Sequence, residues 1–450
     1  MKRKLLYGLF SCILFLSMTV FVRANSALTN WNGTDAAGIL TADEDCPIVV
    51  EHETLTFTLS DGGKTADRFA AEYTFHNPSD LQIEAELSFP FGGAPGYYRS
   101  EGPYDDTSLY HVFLNGEEIT PQVRYTFIDY RQFDVEKDLK LLQDTYREDP
   151  FFHPDLTVYE YRLHFETDPD ILDQGFYINA SADLKNSPEQ VRYLFDTDRG
   201  GYQTGTDGSR IMISLDDAVQ DVVLYTFGEE VQLDWSYQTT EKDGKETDGN
   251  CQMEKVRQLT YEEFLREKQT EEEILPIDYY NAATDYFNLE ETGKIFLPRL
   301  EYMEQRLMKW FRYTLTFAPG ETLTNTVEAP SYPYIDAGYE DEVYGYRYLL
   351  SPASTWREFK GLQVNVVSGW EMLKSTPAGF EKTETGYTAV FDHLPEEELY
   401  FEMCRVADPK RKANSVVILI LVILGFSLLL FILLCFLVYK LLKFLFGKKQ

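Results

Sequence analysis

The sequence predicts a mainly β protein: one or two β-sandwich-like domains with helical insertions, plus a single C-terminal transmembrane helix. Three observations predict it. Short segments that alternate apolar and polar residues recur between turn-forming clusters, the period of half-buried strands. Helical periodicity is confined to a few stretches between them. Ser415 to Tyr439 carries no charge over 25 residues, which at 1.5 Å per residue spans about 37 Å, enough to cross a bilayer with tilt.

The chain has 450 residues. At the N-terminus, the basic MKRK precedes the apolar run Leu5 to Val22, and Val22-Arg23-Ala24 places small residues at the cleavage positions, so 1–24 reads as a signal peptide. The run is also long enough to serve as an uncleaved anchor, and either outcome places Asn25 outside. A lipobox at Leu9-Phe10-Ser11-Cys12 fails because Phe10 is bulky and too little apolar sequence precedes Cys12.

An N-terminal β domain with a helical insertion is expected over 46–237. Ile48 to Ser60, Phe69 to Phe75 and Leu81 to Phe89 alternate as strands, separated by DGGKT and by the turn His76 to Asp80. Leu109 to Leu114 and Glu117 to Val123 flank Asn115-Gly116, a strong hairpin signal. Val135, Leu139, Leu142 and Tyr146 recur at helical spacing, which predicts a helix over 134–147 closed by Asp149-Pro150. Strands follow at Leu156 to Phe165, Phe176 to Ala182, Ile211 to Leu215, Val222 to Phe227 and Val231 to Tyr237.

A linker and helical segment is expected over 238–310. TTEKDGKETDGN has loop composition, Thr260 to Glu263 has capping-box form, and Pro298 to Trp310 has a helical pattern. A C-terminal β domain over 311–405 is expected from Arg312 to Phe317, Thr322 to Ala329, Leu362 to Val367, Tyr387 to Asp392 and Glu398 to Cys404. The transmembrane helix then occupies 415–439 and a short cytoplasmic tail 440–450. Lysines and arginines flank the apolar run on both sides, so the export signal sets the orientation, with the body outside the cell membrane.

Two stretches, Tyr73 to Phe91 (YTFHNPSDLQIEAELSFPF, then FLNGEEITPQV) and Tyr348 to Val367 (YLLSPASTWREFKGLQVNVV), resemble an uncharacterised class of bacterial exported proteins with a paired β architecture. The first is also similar to the inter-alpha-trypsin-inhibitor type β domain found beside adhesive metal-binding domains, although no DxSxS metal motif follows here. The resemblance implies an exported, β-rich, membrane-anchored fold and no particular activity.

No acidic residue lies in 1–24 or 410–450, which hold 11 of the 41 Lys and Arg; the body from 25 to 409 therefore sets 74 acids against 30 bases, a net charge of −44. Such a surface repels nucleic acid and favours solvation, cations or cationic partners. Cys46, Cys251 and Cys404 face the oxidising side, so one disulfide with a leftover thiol, or none, both fit.

No GxSxG, HExxH, Walker loop or strand-borne GxGxxG is present. Asp196, Asp198 and Asp207, around Gly200-Gly201, form a partial calcium-loop pattern whose fifth position is Gly200 and whose last is Asp207 in place of Glu. Calcium is the one cofactor the pattern suggests; the alternative is a polar hairpin loop. The six histidines show no ligand spacing. Ser331 to Tyr348 concentrates Tyr332, Tyr334, Tyr339, Tyr344, Tyr346 and Tyr348 among Pro, Gly and acids, a composition suited to stacking on sugars or attracting a cation. The opposing expectation is that these tyrosines are strand residues of a half-wet sheet. Trp310, Trp356 and Trp370 read as core anchors. The expected function is a non-enzymatic surface or envelope binding component that meets the membrane and a protein or glycan at the cell surface. A carboxylate-dependent hydrolase acting on envelope glycan or peptide is the alternative.

Overall fold

The computed structural model describes residues 36–37, 40–41, 46–60, 67–92, 109–127, 135–165, 177–184, 190–197, 199–205, 208–216, 221–240, 246–249, 251–270, 273–290, 297–304, 306–412, 436–438 and 440. Its elements are mainly strands, arranged in four sheets.

The eight-stranded sheet runs Glu381–Lys382, Gly386–Phe391, Leu362–Val367, Val49–Thr58, Asp67–His76, Thr322–Ser331, His111–Leu114, Glu117–Ile119. The nine-stranded sheet runs Glu371–Thr376, Leu399–Cys404, Val343–Leu349, Ala36–Ala37, Ile83–Gly92, Leu307–Phe317, Gln122–Phe127, with Leu40–Thr41 and Tyr334–Asp336 paired off this path. Their inner faces share one core, in which Phe57 meets Phe401 edge-on at 5.0 Å and Phe75 meets Trp356 at 4.8 Å. Alternation in the Val49–Thr58 and Asp67–His76 strands sends Leu55, Phe57, Phe69, Ala71, Tyr73 and Phe75 inward, each removing apolar surface from water at roughly 25 cal/mol per Å².

A second, smaller sandwich packs the four-stranded sheet Arg192–Phe195, Asp221–Phe227, Thr157–Phe165, Cys251–Thr260 on the five-stranded sheet Gly200–Gly205, Gly208–Asp216, Tyr177–Asp183, Trp235–Thr240, Glu246–Gly249. Helices Tyr261–Lys268, Pro276–Glu290 and Leu300–Glu304 join the two sandwiches, because Tyr261, Phe264, Tyr280 and Phe287 share a core with Tyr125 and Phe127 of one and Phe227 of the other.

Chain order does not group the strands. Leu307–Phe317 lies between Ile83–Gly92 and Gln122–Phe127, and Leu362–Val367 pairs in parallel with Val49–Thr58. The large sandwich is therefore assembled from strands on both sides of the expected linker, and the small one is inserted between them. The division into 46–237 and 311–405 differs from this pairing. Alternation tells which side of a strand is buried and says nothing of its neighbour.

Local readings fare better. Asn115 and Gly116 have φ of 50° and 82°, the pair of left-handed residues a tight hairpin needs. Asn77 is buried, and its side-chain amide donates to the Leu81 and Ala318 carbonyls, which closes the turn after Asp67–His76. Thr260 and Glu263 cap the Tyr261–Lys268 helix reciprocally. Three expectations shift. The 134–147 helix shrinks to Val135–Asp138 and a 3-10 turn at Leu139–Leu141, because the Gln143 carbonyl and the Asp144 carboxylate turn to Arg124 and the Arg147 backbone N–H donates to Asn281. The 298–310 helix is only Leu300–Glu304, since the chain from Leu307 joins the nine-stranded sheet. The expected loop 239–250 contains the strand Glu246–Gly249.

Among the described residues no helix is long and apolar enough to cross a membrane. The signal peptide, and all of the span 415–439 except the helical Phe436, Leu437 and Val438, lie outside the described residues, as does the tail beyond Lys440. Cys46, Cys251 and Cys404 are in no disulfide; burial pushes the Cys251 thiol up to about 12.

Candidate functional site

Three groups of charged or polar side chains stand out from the hydrophobic packing, and they differ in what surrounds them. The first lies inside the large sandwich. Glu53 occupies an inward position of Val49–Thr58 and is 0% exposed. Tyr73, directly across the ladder, donates its hydroxyl to Glu53 Oε1 at 2.7 Å, and Tyr348 from the facing sheet reaches the same oxygen at 3.3 Å. The two phenol oxygens are 3.0 Å apart, and Glu53 Oε2 meets no hydrogen-bond partner. Burial raises the Glu53 pKa to about 7, against the lowering effect of both tyrosine hydroxyls.

Asp67 repeats the arrangement nearby: Oδ1 accepts from the Ser60 amide at 2.6 Å and the Ser60 hydroxyl at 2.9 Å, and Oδ2 accepts from Tyr346 at 2.5 Å. Burial raises its pKa too.

The second group lies where the large sandwich meets the helices. Arg124, 1% exposed, donates from Nε to both oxygens of Asp278 and from Nη2 to Oδ1 at 2.8 Å, while Nη1 reaches Asp144 at 2.6 Å and Nη2 the Gln143 carbonyl at 2.9 Å. The Tyr125 backbone N–H completes the Asp278 shell at 3.0 Å. Burial raises the Asp278 carboxyl, with Arg124 opposing the rise, and the Arg124 guanidinium is held above its ordinary value because Asp278 and Asp144 outweigh the lowering effect of burial; a fork of guanidinium donors and a backbone donor on one carboxylate is an arrangement that suits its ionised form. This group pins the N-terminal turn of Pro276–Glu290 to Gln122–Phe127. Asp285, further along that helix, is raised to about 6 by burial and is engaged by Arg147 at 2.8 Å.

The third group is at the surface. Glu340, Asp341, Glu342, Tyr344, Arg405 and Lys412 line an open cavity of about 320 Å³. Tyr344 donates to Glu342 Oε2 at 2.9 Å and packs edge-on against Trp370 at 4.9 Å. Arg405 lies over that indole, 5.5 Å from its centroid. Burial, with Glu342 beside it, pushes the Tyr344 phenol up to about 12.

The tyrosine-rich segment is thus divided by depth of burial. Tyr346 and Tyr348 are core residues that hold Asp67 and Glu53, as the strand expectation has it. Tyr332 packs partly against the same core, Tyr334 starts the short Tyr334–Asp336 strand, and Tyr339 lies beneath Arg411 at 4.9 Å. Tyr344 alone of the six lines the cavity. Of the two cations that complete it, Lys412 belongs to the basic stretch before the apolar run and Arg405 carried no sequence signal. Of the calcium pattern, Asp198 and Asp207 lie outside the described residues. Asp196 is ion-paired to Lys268 at 3.1 Å, and Gly200–Gly205, in the middle of the pattern, is an extended strand paired with Gly208–Asp216. No group of three or more His, Cys, Asp or Glu among the described residues is disposed to hold a metal ion.

No family model matches this chain, and no curated protein matches it. Among solved structures it is similar to a candidate nutrient-binding protein of Legionella pneumophila subsp. pneumophila, with 9% identity and a TM-score of 0.34 over 82% of this chain and 71% of that one. A likeness of that size carries no argument about fold or function.

Proposed function

We propose that this protein is a membrane-anchored, extracytoplasmic binding component that acts without catalysis, its acidic body held at the outer face by the 415–439 helix. One observation carries the reading. The carboxyl groups that burial drives furthest toward neutrality are engaged inside the fold, Glu53 beneath tyrosine hydroxyls in the sandwich core and Asp285 against Arg147 on the helix that joins the sandwiches, whereas the cavity at 340–344 is lined by exposed charges. A general acid needs a raised pKa and access to substrate together. A recognition surface needs charge and shape in the open, and that combination fits the cavity.

Crosslinking on intact cells followed by identification of the captured molecules tests this. The expected outcome is a specific partner lost on replacing Glu340, Asp341 and Glu342 with their amides. Release of sugar or peptide from envelope material by the purified chain, with nothing captured, would sink the reading.

A further inference from the structure

The surface cavity and the segment leading to the apolar run are one piece of structure. The Glu340 backbone N–H donates to the Lys410 carbonyl at 2.8 Å, the Lys412 N–H donates to the Gly338 carbonyl at 2.8 Å, and Tyr339 and Arg411 form an antiparallel bridge between them. Arg411 also covers the Tyr339 ring. The body therefore stays folded up to Lys412, and only Ala413 and Asn414 separate it from Ser415, where the uncharged run begins.

That spacing limits distance. Three residue steps cover at most about 10 Å when fully extended, and the headgroup layer on each side of a bilayer is about 5–8 Å thick. A bilayer that holds 415–439 thus holds the 336–342 loop, and the cavity beside it, against its headgroups.

The lining suits a particular headgroup. Three carboxylates and the Tyr344 ring stand on one side of the chemistry, Arg405 and Lys412 on the other. An anionic headgroup would meet two cations and be opposed by three acids. A trimethylammonium group offers no N–H to the carboxylates and is best held by several aromatic faces, of which this cavity presents one. A primary ammonium next to a phosphate matches both signs of the lining, with N–H donors facing Glu340, Asp341 and Glu342 and phosphate oxygens facing Arg405 and Lys412. The volume, about 320 Å³, suits a small polar group. We propose that this membrane-proximal cavity binds the phosphoethanolamine headgroup of a bilayer lipid and so fixes the orientation of the body on the membrane. The proposal rests on the anchored reading and names one partner of its site.

The test uses the full chain reconstituted into vesicles of phosphatidylcholine alone, with phosphatidylethanolamine, or with phosphatidylglycerol, and reads backbone hydrogen exchange by mass spectrometry. Exchange across 336–344 and 405–412 is expected to slow about tenfold with phosphatidylethanolamine, the size of one good set of charged hydrogen bonds, and not with the other two. Glu340→Gln with Glu342→Gln is expected to abolish that difference, and so is Arg405→Gln. Protection of the Val49–Thr58 and Asp67–His76 strands reports that each variant is folded. Equal slowing in all three lipids, or greater slowing with phosphatidylglycerol, overturns the headgroup assignment alone. Release of the chain from the vesicles by alkaline carbonate overturns the anchored reading and the assignment with it.

Discussion

Glu53 and Asp278 are both carboxylic acids sealed from water, at 0% and 2% exposure, yet the protein treats them differently. Around Glu53 the donors are two phenols, neutral groups that offset part of the desolvation and leave the carboxyl titrating near 7. Around Asp278 the donors are the Tyr125 backbone N–H and a guanidinium, whose charge and forked geometry oppose the upward push of burial and favour the ionised acid. The contrast teaches that the large sandwich tolerates an acid by letting it become neutral, while the seam between the sandwiches holds an acid by pairing it. The first arrangement is sensitive to pH and the second to loss of its partner.

The sharpest way to break the comparison is at the seam. Arg124→Met leaves Asp278 buried without its counter-charge and is expected to destabilise the fold by about 3–5 kcal/mol, read from the denaturant midpoint. An effect below about 1 kcal/mol would mean that Asp278 is not held as an ion.

Next in size is the pH dependence of Glu53. Because its folded pKa lies above the unfolded value of 4.5, its contribution to stability is fully present below 4.5 and is lost as pH rises through about 7. Between about pH 4 and about pH 8, Glu53→Gln should therefore gain about 3 kcal/mol relative to the parent chain. Parallel stability curves for the two chains would show that Glu53 ionises normally.

A smaller effect sharpens the role of the phenols. Tyr73→Phe removes the shorter of the two hydroxyl bonds and should cost about 1–2 kcal/mol. It should also move the pH-dependent fall upward, since that bond lowers the Glu53 pKa. An unchanged titration, measured over the same pH series, would remove Tyr73 from the account.

The smallest effect belongs to the exposed cavity. Glu342→Gln should change stability by no more than about 0.5 kcal/mol in thermal or denaturant unfolding, because its charge is already solvated. A larger loss would recast the cavity as a structural feature.

Much of this was legible in single segments, and the sites were not. The alternation that marks Val49–Thr58 as a strand also places Glu53 on its inward face, so a carboxylate on the apolar side was the available signal. Nothing local shows that Tyr348, 295 residues away, would meet it. The tyrosine-rich segment read as a unit by composition, and the pleat does put Tyr344, Tyr346 and Tyr348 on one face of their strand, yet only the last two lie deep in the core, while Tyr344 near the strand's start is partly buried and lines the cavity. The helix ends at Asp138, short of the 147 that periodicity predicts, because Gln143 and Asp144 bond to Arg124, a competitor no periodicity records.

By itself the sequence determined the β character, the Asn115-Gly116 hairpin, the Thr260 cap and the acidity of the body, since each depends on residues close in the chain or on composition alone. Only the tertiary structure decided that strands near both ends build one sandwich around an inserted second one. It alone brought Arg405 and Lys412 to the acids at 340–342. Strand partners and charged cavities arise from contacts between distant segments, and the choice among those contacts follows from which buried faces fit together.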